Sequence, residues 1–350
     1  MFKLFISKDA LTDLYVNHAD NPTDWLKVIQ KQRKLFLMND QGDIETDLSN
    51  PDSPLYMYLT ATGKSFDIFE SSSITISDIQ TNASIVLENP CGCYLLDINK
   101  TEAESIQKKY GVICQSTRDY QECPLVHEEF PISPEEGDTG YGWDRFSSIC
   151  SKIPSNALII NDRNLFTNIS RGNLYGLANI EDILNVMLPT CLDINTDYHV
   201  AIIIGAENMR PNINASYTYE QVVEELGRIK SRLNKTYNIR ISLLVVNEGN
   251  SDIWSKTHNR RIISNYYYVT ADYKIAAFCN GKSTSSQSIN LIPVFCKGMV
   301  DGADAPERSH RSAINGYKYI VDHWDSETFR FASGLNPNAP IENLNHRLLK

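Results

Sequence analysis

YHVAIIIGAENMRPNINASYTYEQVVEELGRIKSRLNKTYNIRISLLVV, residues 198–246, decides the fold. His199–Ile204 reads as an apolar strand ending at Gly205. Thr218 with Gln221 forms a capping box, and Val222, Leu226, Ile229 and Leu233 keep helical spacing behind it. Ile241–Val246 is a second apolar strand. Two such runs joined by an amphipathic helix predict parallel strands buried on both faces. Upstream, Ala157–Ile160 reads as another strand. Asn179 is expected to cap a helix carrying Ile180, Ile183, Leu184, Met187 and Leu188, stopped by Pro189. Downstream the apolar period becomes two in Arg261–Thr270, Lys274–Cys279 and Ser288–Phe295, predicting antiparallel strands on the same sheet. The expected class is α/β: a mainly parallel sheet with an antiparallel extension and helices on both faces.

The first half is less regular. FKLFISKDALTDLYV opens as a strand followed by a helix, and helical spacing recurs in Trp25, Leu26, Val28 and Ile29. Residues 39–56, rich in Asp, Asn, Ser, Pro and Gly, read as a loop. Cys93–Ser116 reads as strand, helix, strand, with Thr101 capping, Glu104 three residues on, and Gly111 ending the helix. Residues 119–144 lack periodicity and read as a linker. The expected division is a smaller acidic α/β domain over 1–145 and a larger α/β domain over 146–350.

Charge separates the halves as well. The whole chain carries a formal -10 over 350 residues, but residues 1–150 hold 12 Lys+Arg against 24 Asp+Glu, and residues 151–350 hold 21 against 19. An anion site is therefore expected late in the chain. No run approaches the length of a membrane span, and the opening residues are acidic where a leader would be apolar, so a cytoplasmic protein without membrane contact is expected. The eight cysteines follow no disulfide spacing and are expected reduced. Cys91, Cys93, Cys114, Cys123 and His127 lack paired-knuckle spacing, so packing is preferred to zinc. Neither a Walker loop nor GxGxxG is present, and no cofactor or metal is expected.

After the strand ISLLVV, residues His258, Arg260 and Asn265 fall at H-x-R-x4-N. Over roughly residues 155–300 this resembles the HxKx4D signature of the phospholipase D superfamily, and the phospholipase D-like C-terminal domain of microtubule-interacting-and-transport proteins. The resemblance implies a phosphodiester site in which His258 is nucleophile or donor, Arg260 the phosphate clamp and Asn265 an orienting partner. An imidazole can attack phosphorus while a fixed cation neutralises its oxygens. On an extended strand His258 and Arg260 share a side and Arg261 points oppositely. Gly281 and Ser283 only loosely represent the glycine-serine element that usually follows.

Arg in place of Lys favours binding over turnover, Asn lacks the carboxylate's charge, and a second motif copy is missing, so an active site would need a homodimer. If active, the chain would be a metal-independent phosphodiesterase or nuclease. The resemblance thus implies a nucleic acid or nucleotide ligand, held by Arg260, Arg261, Lys256, Arg308 and Arg311. A role in a bacterial antiviral defence system, with a protein partner from the same operon, is a further expectation.

Other readings compete. The domain could be a non-catalytic scaffold using its sheet edge. Arg228, Lys230, Arg232, Lys235 and Arg240 could form an anion surface or a solvated helix face. Of Tyr266, Tyr267 and Tyr268, an exposed Tyr267 beside Arg260 could stack on a base. In the first half, the Leu96-Asp97 strand end before a helix looks similar to a PIN-like nuclease. That likeness implies carboxylates from Asp9 or Asp13, Asp67, Asp78 and Asp97 around magnesium.

Overall fold

Leu4, Phe5 and Ile6, all buried, form the centre of the first sheet. In the computed structural model the described residues are 2–18, 23–31, 34–39, 41–63, 69–118, 122–132, 142–166, 172–206, 217–246, 260–279, 282–284, 287–296, 305–324, 330–333 and 336–349. The chain divides into two units, Met1–Val126 and His127–Lys350. The division precedes the 145/146 boundary read from composition, because Phe130–Ile132 is already a strand of the second sheet.

The first unit runs β1 (Lys3–Ile6), α1 (Lys8–His18), α2 (Asp24–Lys31), β2 (Leu35–Leu37), α3 (Gln41–Leu48), α4 (Pro54–Thr62), β3 (Phe69–Ser71), α5 (Ile76–Thr81), β4 (Gly92–Leu96), α6 (Lys100–Tyr110) and β5 (Ile113–Ser116). All pairings are parallel in the order β3-β2-β1-β4-β5. Phe5 lies opposite Tyr94 in the β1–β4 register, and their rings stack at 4.7 Å. The segment expected as a loop over 39–56 instead forms α3 and the start of α4. Ser53 accepts from the Leu55 amide, Pro54 opens α4, and Gly63 closes it at φ 63, a conformation that costs glycine little. The cap of α6 is Asn99, not Thr101: its side chain accepts from the Glu102 amide at 2.8 Å.

The second unit runs β6 (Phe130–Ile132), α7 (Ser147–Cys150), β7 (Ala157–Asn161), α8 (Gly172–Met187), β8 (Tyr198–Gly205), α9 (Tyr219–Arg232), β9 (Ile239–Val246), β10 (Arg261–Ser264), β11 (Tyr267–Ala271), β12 (Phe278–Cys279), β13 (Lys282–Ser283), β14 (Ile289–Pro293), α10 (Pro306–Asp322) and β15 (Arg330–Ser333). Its eight-stranded sheet has the order β15-β9-β8-β7-β10-β11-β14-β6. β7, β8 and β9 pair in parallel, and every other pairing is antiparallel. The α/β class holds, while the antiparallel extension exceeds the parallel set it was expected to adorn. Every residue of β8 is buried. Burying one such aliphatic side chain contributes about 1.5–3 kcal/mol, well above the tenths that separate intrinsic propensities, so tertiary burial fixes these strands.

Arg261–Thr270 is not one strand but the β10–β11 hairpin, turning at Asn265 and Tyr266. Of Lys274–Cys279, only Phe278–Cys279 is a strand, paired with Lys282–Ser283 in a separate ribbon. Asn179 does not cap a helix. It sits inside α8, fully buried, accepting from Trp143 Nε1 at 3.0 Å and from the Phe278 amide at 3.1 Å.

Candidate functional site

β7 leads through α8 to β8 on one side, whereas its other neighbour is β10, reached only after β9. The strand order therefore reverses between β7 and β10, and the carboxyl end of β7 at that reversal is where open α/β sheets bind ligands. The polar residues Asn161-Asp162-Arg163-Asn164 follow the apolar run there.

Asp162 is fully buried. Its Oδ1 accepts from the Asn164 amide at 2.9 Å, an Asx-turn that ends the strand, and its Oδ2 accepts from the Ile275 amide at 2.8 Å. The same turn lies against α8 at Gly176, where a Cβ would fall 2.2 Å from the Phe166 ring and 2.5 Å from the Leu165 carbonyl. Only glycine permits that approach. Two cations face the carboxylate. Arg260 Nε lies 3.7 Å from Oδ1, buried and without a hydrogen bond among the described residues. Lys274, next to the Ile275 amide, places its ammonium 5.5 Å from the Tyr175 ring centroid and 5.7 Å from that of Tyr273.

Burial pushes the Asp162 carboxyl above its ordinary value, while the Ile275 and Asn164 amides, then Arg260 and Lys274, pull it back. Burial likewise lowers the Lys274 ammonium, against the pull of Asp162. Gln287 holds the 273–274 backbone in place: its side-chain oxygen accepts both amides at 2.9 Å and its nitrogen donates to the Lys274 carbonyl at 2.8 Å. Tyr175 donates to Thr284 Oγ1, which fixes the ring from α8.

Of the residues expected from H-x-R-x4-N, His258 and Lys256 lie outside the described residues, as does Gly281. Arg260 is in the cluster. Asn265 is not: it is fully buried at the far end of β10, where its oxygen accepts the Asn156 and Ala157 amides at 2.9 and 3.1 Å. The extended chain between Arg261 and Asn265 spans roughly 13 Å, and β10 runs antiparallel to β7, so Arg260 and Asn265 flank opposite ends of β7. Asn265 therefore anchors the sheet and does not orient a group near Arg260.

The expected phosphate-binding set also divides. Arg261 turns the other way, over the Tyr268 ring at 5.5 Å and donating to the Ser309 carbonyl of α10 at 3.3 Å. Arg308 is exposed on α10, and Arg311 pairs with Glu307 at 3.7 Å. Ser283 lies in β13. Tyr266, Tyr267 and Tyr268 are all buried, so none is the exposed stacking surface expected of Tyr267. The other basic run is occupied: Arg228 pairs with Glu224 and Glu225, Arg232 with Glu181 and Glu225, and Arg240 with Asp197. Lys230 donates to Asn238 and Lys235 to the Leu188 carbonyl.

In the first unit, cations stand among the acids at the carboxyl ends of the strands. Lys8 pairs with Asp47 at 2.9 Å, and its pKa is raised first by that hydrogen bond; Arg118 pairs with Asp97 at 2.6 Å. Asp9 is exposed, Asp13 half-buried, and Asp78 closes the capping box with Thr75. Asp67 lies outside the described residues. Among the described residues no group of three His, Cys, Asp or Glu could hold a metal ion. Cys91, Cys93, Cys114 and Cys123 are buried thiols. Nor, among the described residues, is any helix long and apolar enough to cross a membrane.

Asp162, Lys274 and Tyr273 were missed from sequence. The available signal was the polar NDRN run following an apolar strand; the approach of residues 273–275 is tertiary and leaves none. No protein-family model matches this chain, and no curated protein does.

Proposed function

We propose that the second unit binds a phosphate or phosphodiester group, carried by nucleic acid or a nucleotide, at the carboxyl end of β7 beside β10. Arg260 and Lys274 are the anion's partners. The observation that carries this reading is their convergence from two separate segments on one buried carboxylate at the reversal of strand order. A carboxylate held by two backbone amides keeps the cations in place without consuming their donors, since Arg260 Nε sits beyond hydrogen-bond range of it. Arg supplies a planar fork for two phosphate oxygens and Lys a point charge. In this reading the likeness to the phospholipase D motif is that of a degenerate, binding domain. No turnover is assigned, because Asn265 is engaged elsewhere.

Binding of a fluorescent single-stranded oligonucleotide to the full chain, measured by anisotropy at rising salt, tests the proposal. Arg260→Ala and Lys274→Ala should each weaken binding and lower the slope of log affinity on log salt by about one. A slope near zero, or variants that bind like the parent, would discard it in favour of a protein-docking scaffold.

A further inference from the structure

Tyr273 is 62% exposed, the one Phe, Tyr or Trp side chain in the exposed class among the described residues. It stands beside both cations of the proposed anion site. Its ring centroid lies 6.0 Å from Arg260 Cζ and 5.7 Å from Lys274 Nζ. Its amide is held by Gln287 at 2.9 Å, a side chain that is itself 8% exposed, so the backbone carrying the ring is fixed from the sheet. A tyrosine kept in water beside two phosphate-binding groups offers a flat face about as far from them as a nucleotide's base lies from its own phosphate.

We infer that the ligand carries an unstacked nucleobase that packs on Tyr273 while Arg260 and Lys274 hold the adjoining phosphate, which makes single-stranded nucleic acid its substrate class. This rests on the anion-binding reading above. Every base has a π-face, so a lone tyrosine platform is indifferent to sequence, and a duplex, whose base faces are already stacked, does not supply one. Free phosphate or a lipid headgroup engages the cations but leaves the ring idle. The rings of Tyr266, Tyr267 and Tyr268, sealed in the core, take no part.

The test compares, on the full chain, a labelled oligothymidylate with an abasic deoxyribose-phosphate oligomer of equal length and charge. The parent should prefer the base-bearing strand by about tenfold. Tyr273→Ala should abolish that preference while Tyr273→Phe and Tyr273→Trp keep it, and Arg260→Ala should weaken both oligomers alike. Equal binding of the two oligomers by the parent, with Arg260→Ala still weakening both, would overturn the stacking and leave the anion site standing. Binding of neither oligomer would overturn both.

Discussion

Asn265 accepts from the amides of Asn156 and Ala157 and donates to Asn156 Oδ1 at 3.0 Å. Both Asn156 and Asn265 are fully buried. Asn265→Ala takes one partner away from each of two buried donors and an acceptor at the start of β7. With about 1–3 kcal/mol for each buried group deprived of a partner, a loss of about 3 kcal/mol or more is expected in urea unfolding of the second unit. The salt dependence of oligonucleotide binding by the folded protein should not change, since the proposed anion site is at the other end of the strand. Reduced slope in Asn265→Ala would instead restore the orienting role that the motif implied. At this scale the motif's spacing puts Asn265 beside Arg260, and the structure separates them, for a plain reason. Spacing along a strand fixes which side a residue takes, yet five positions of extended chain carry the second residue from one end of the sheet to the other.

Among the elements, those with periodic apolar faces were legible. The capping box of α9 forms as read, Thr218 and Gln221 exchanging bonds at 3.4 and 2.8 Å, and β8 and β9 lie where the apolar runs place them. Illegible elements draw their order from elsewhere. α3 buries Ile44 and half-buries Leu48, its one other apolar side chain, too weak a pattern to distinguish from loop. Asn179 looks like a cap because asparagine disfavours helix interiors, but tertiary bonds override that preference. Its amide nitrogen donates to the Tyr175 and Phe278 carbonyls, and its oxygen receives Trp143 Nε1 and the Phe278 amide. Asn179→Ala should raise local helix propensity yet destabilise the unit by about 2–4 kcal/mol, because several buried partners lose their bonds together. Equilibrium unfolding followed by tryptophan fluorescence reads this directly. A neutral or stabilised Asn179→Ala protein would show that those bonds are replaced.

For the molecule as a whole, the α/β class could be read from apolar runs, whereas the extent of the antiparallel extension could not: pairing partners of short strands depend on long-range contacts that leave no local period. Those same contacts bury three histidines in the second unit, His199, His310 and His346. His346 donates from Nε2 to the Leu158 carbonyl at 3.1 Å and accepts from the Leu348 amide at Nδ1, and His310 Nε2 meets the Ser264 carbonyl at 2.6 Å. Burial, against those carbonyls, lowers each of these two imidazoles to about 4 from an ordinary 6.5, with Arg347 beside His346 and Arg261 near His310 adding to the depression. Between these values the unfolded chain binds more protons than the native one, so stability rises with pH across the interval and is lost as pH falls through it. Each neutral imidazole then contributes about 3 kcal/mol above pH 6.5 that is absent below pH 4. Urea midpoints taken from pH 7.5 down to 4 should fall steeply for the parent. His346→Gln, which can still donate to Leu158, should lower the midpoint at pH 7.5 but flatten its descent, and His310→Gln should do the same. A parent midpoint that stays level from pH 7 to 4.5 would mean that both rings accept a proton in place, and the C-terminal segment around Arg347 would have to rearrange to let them.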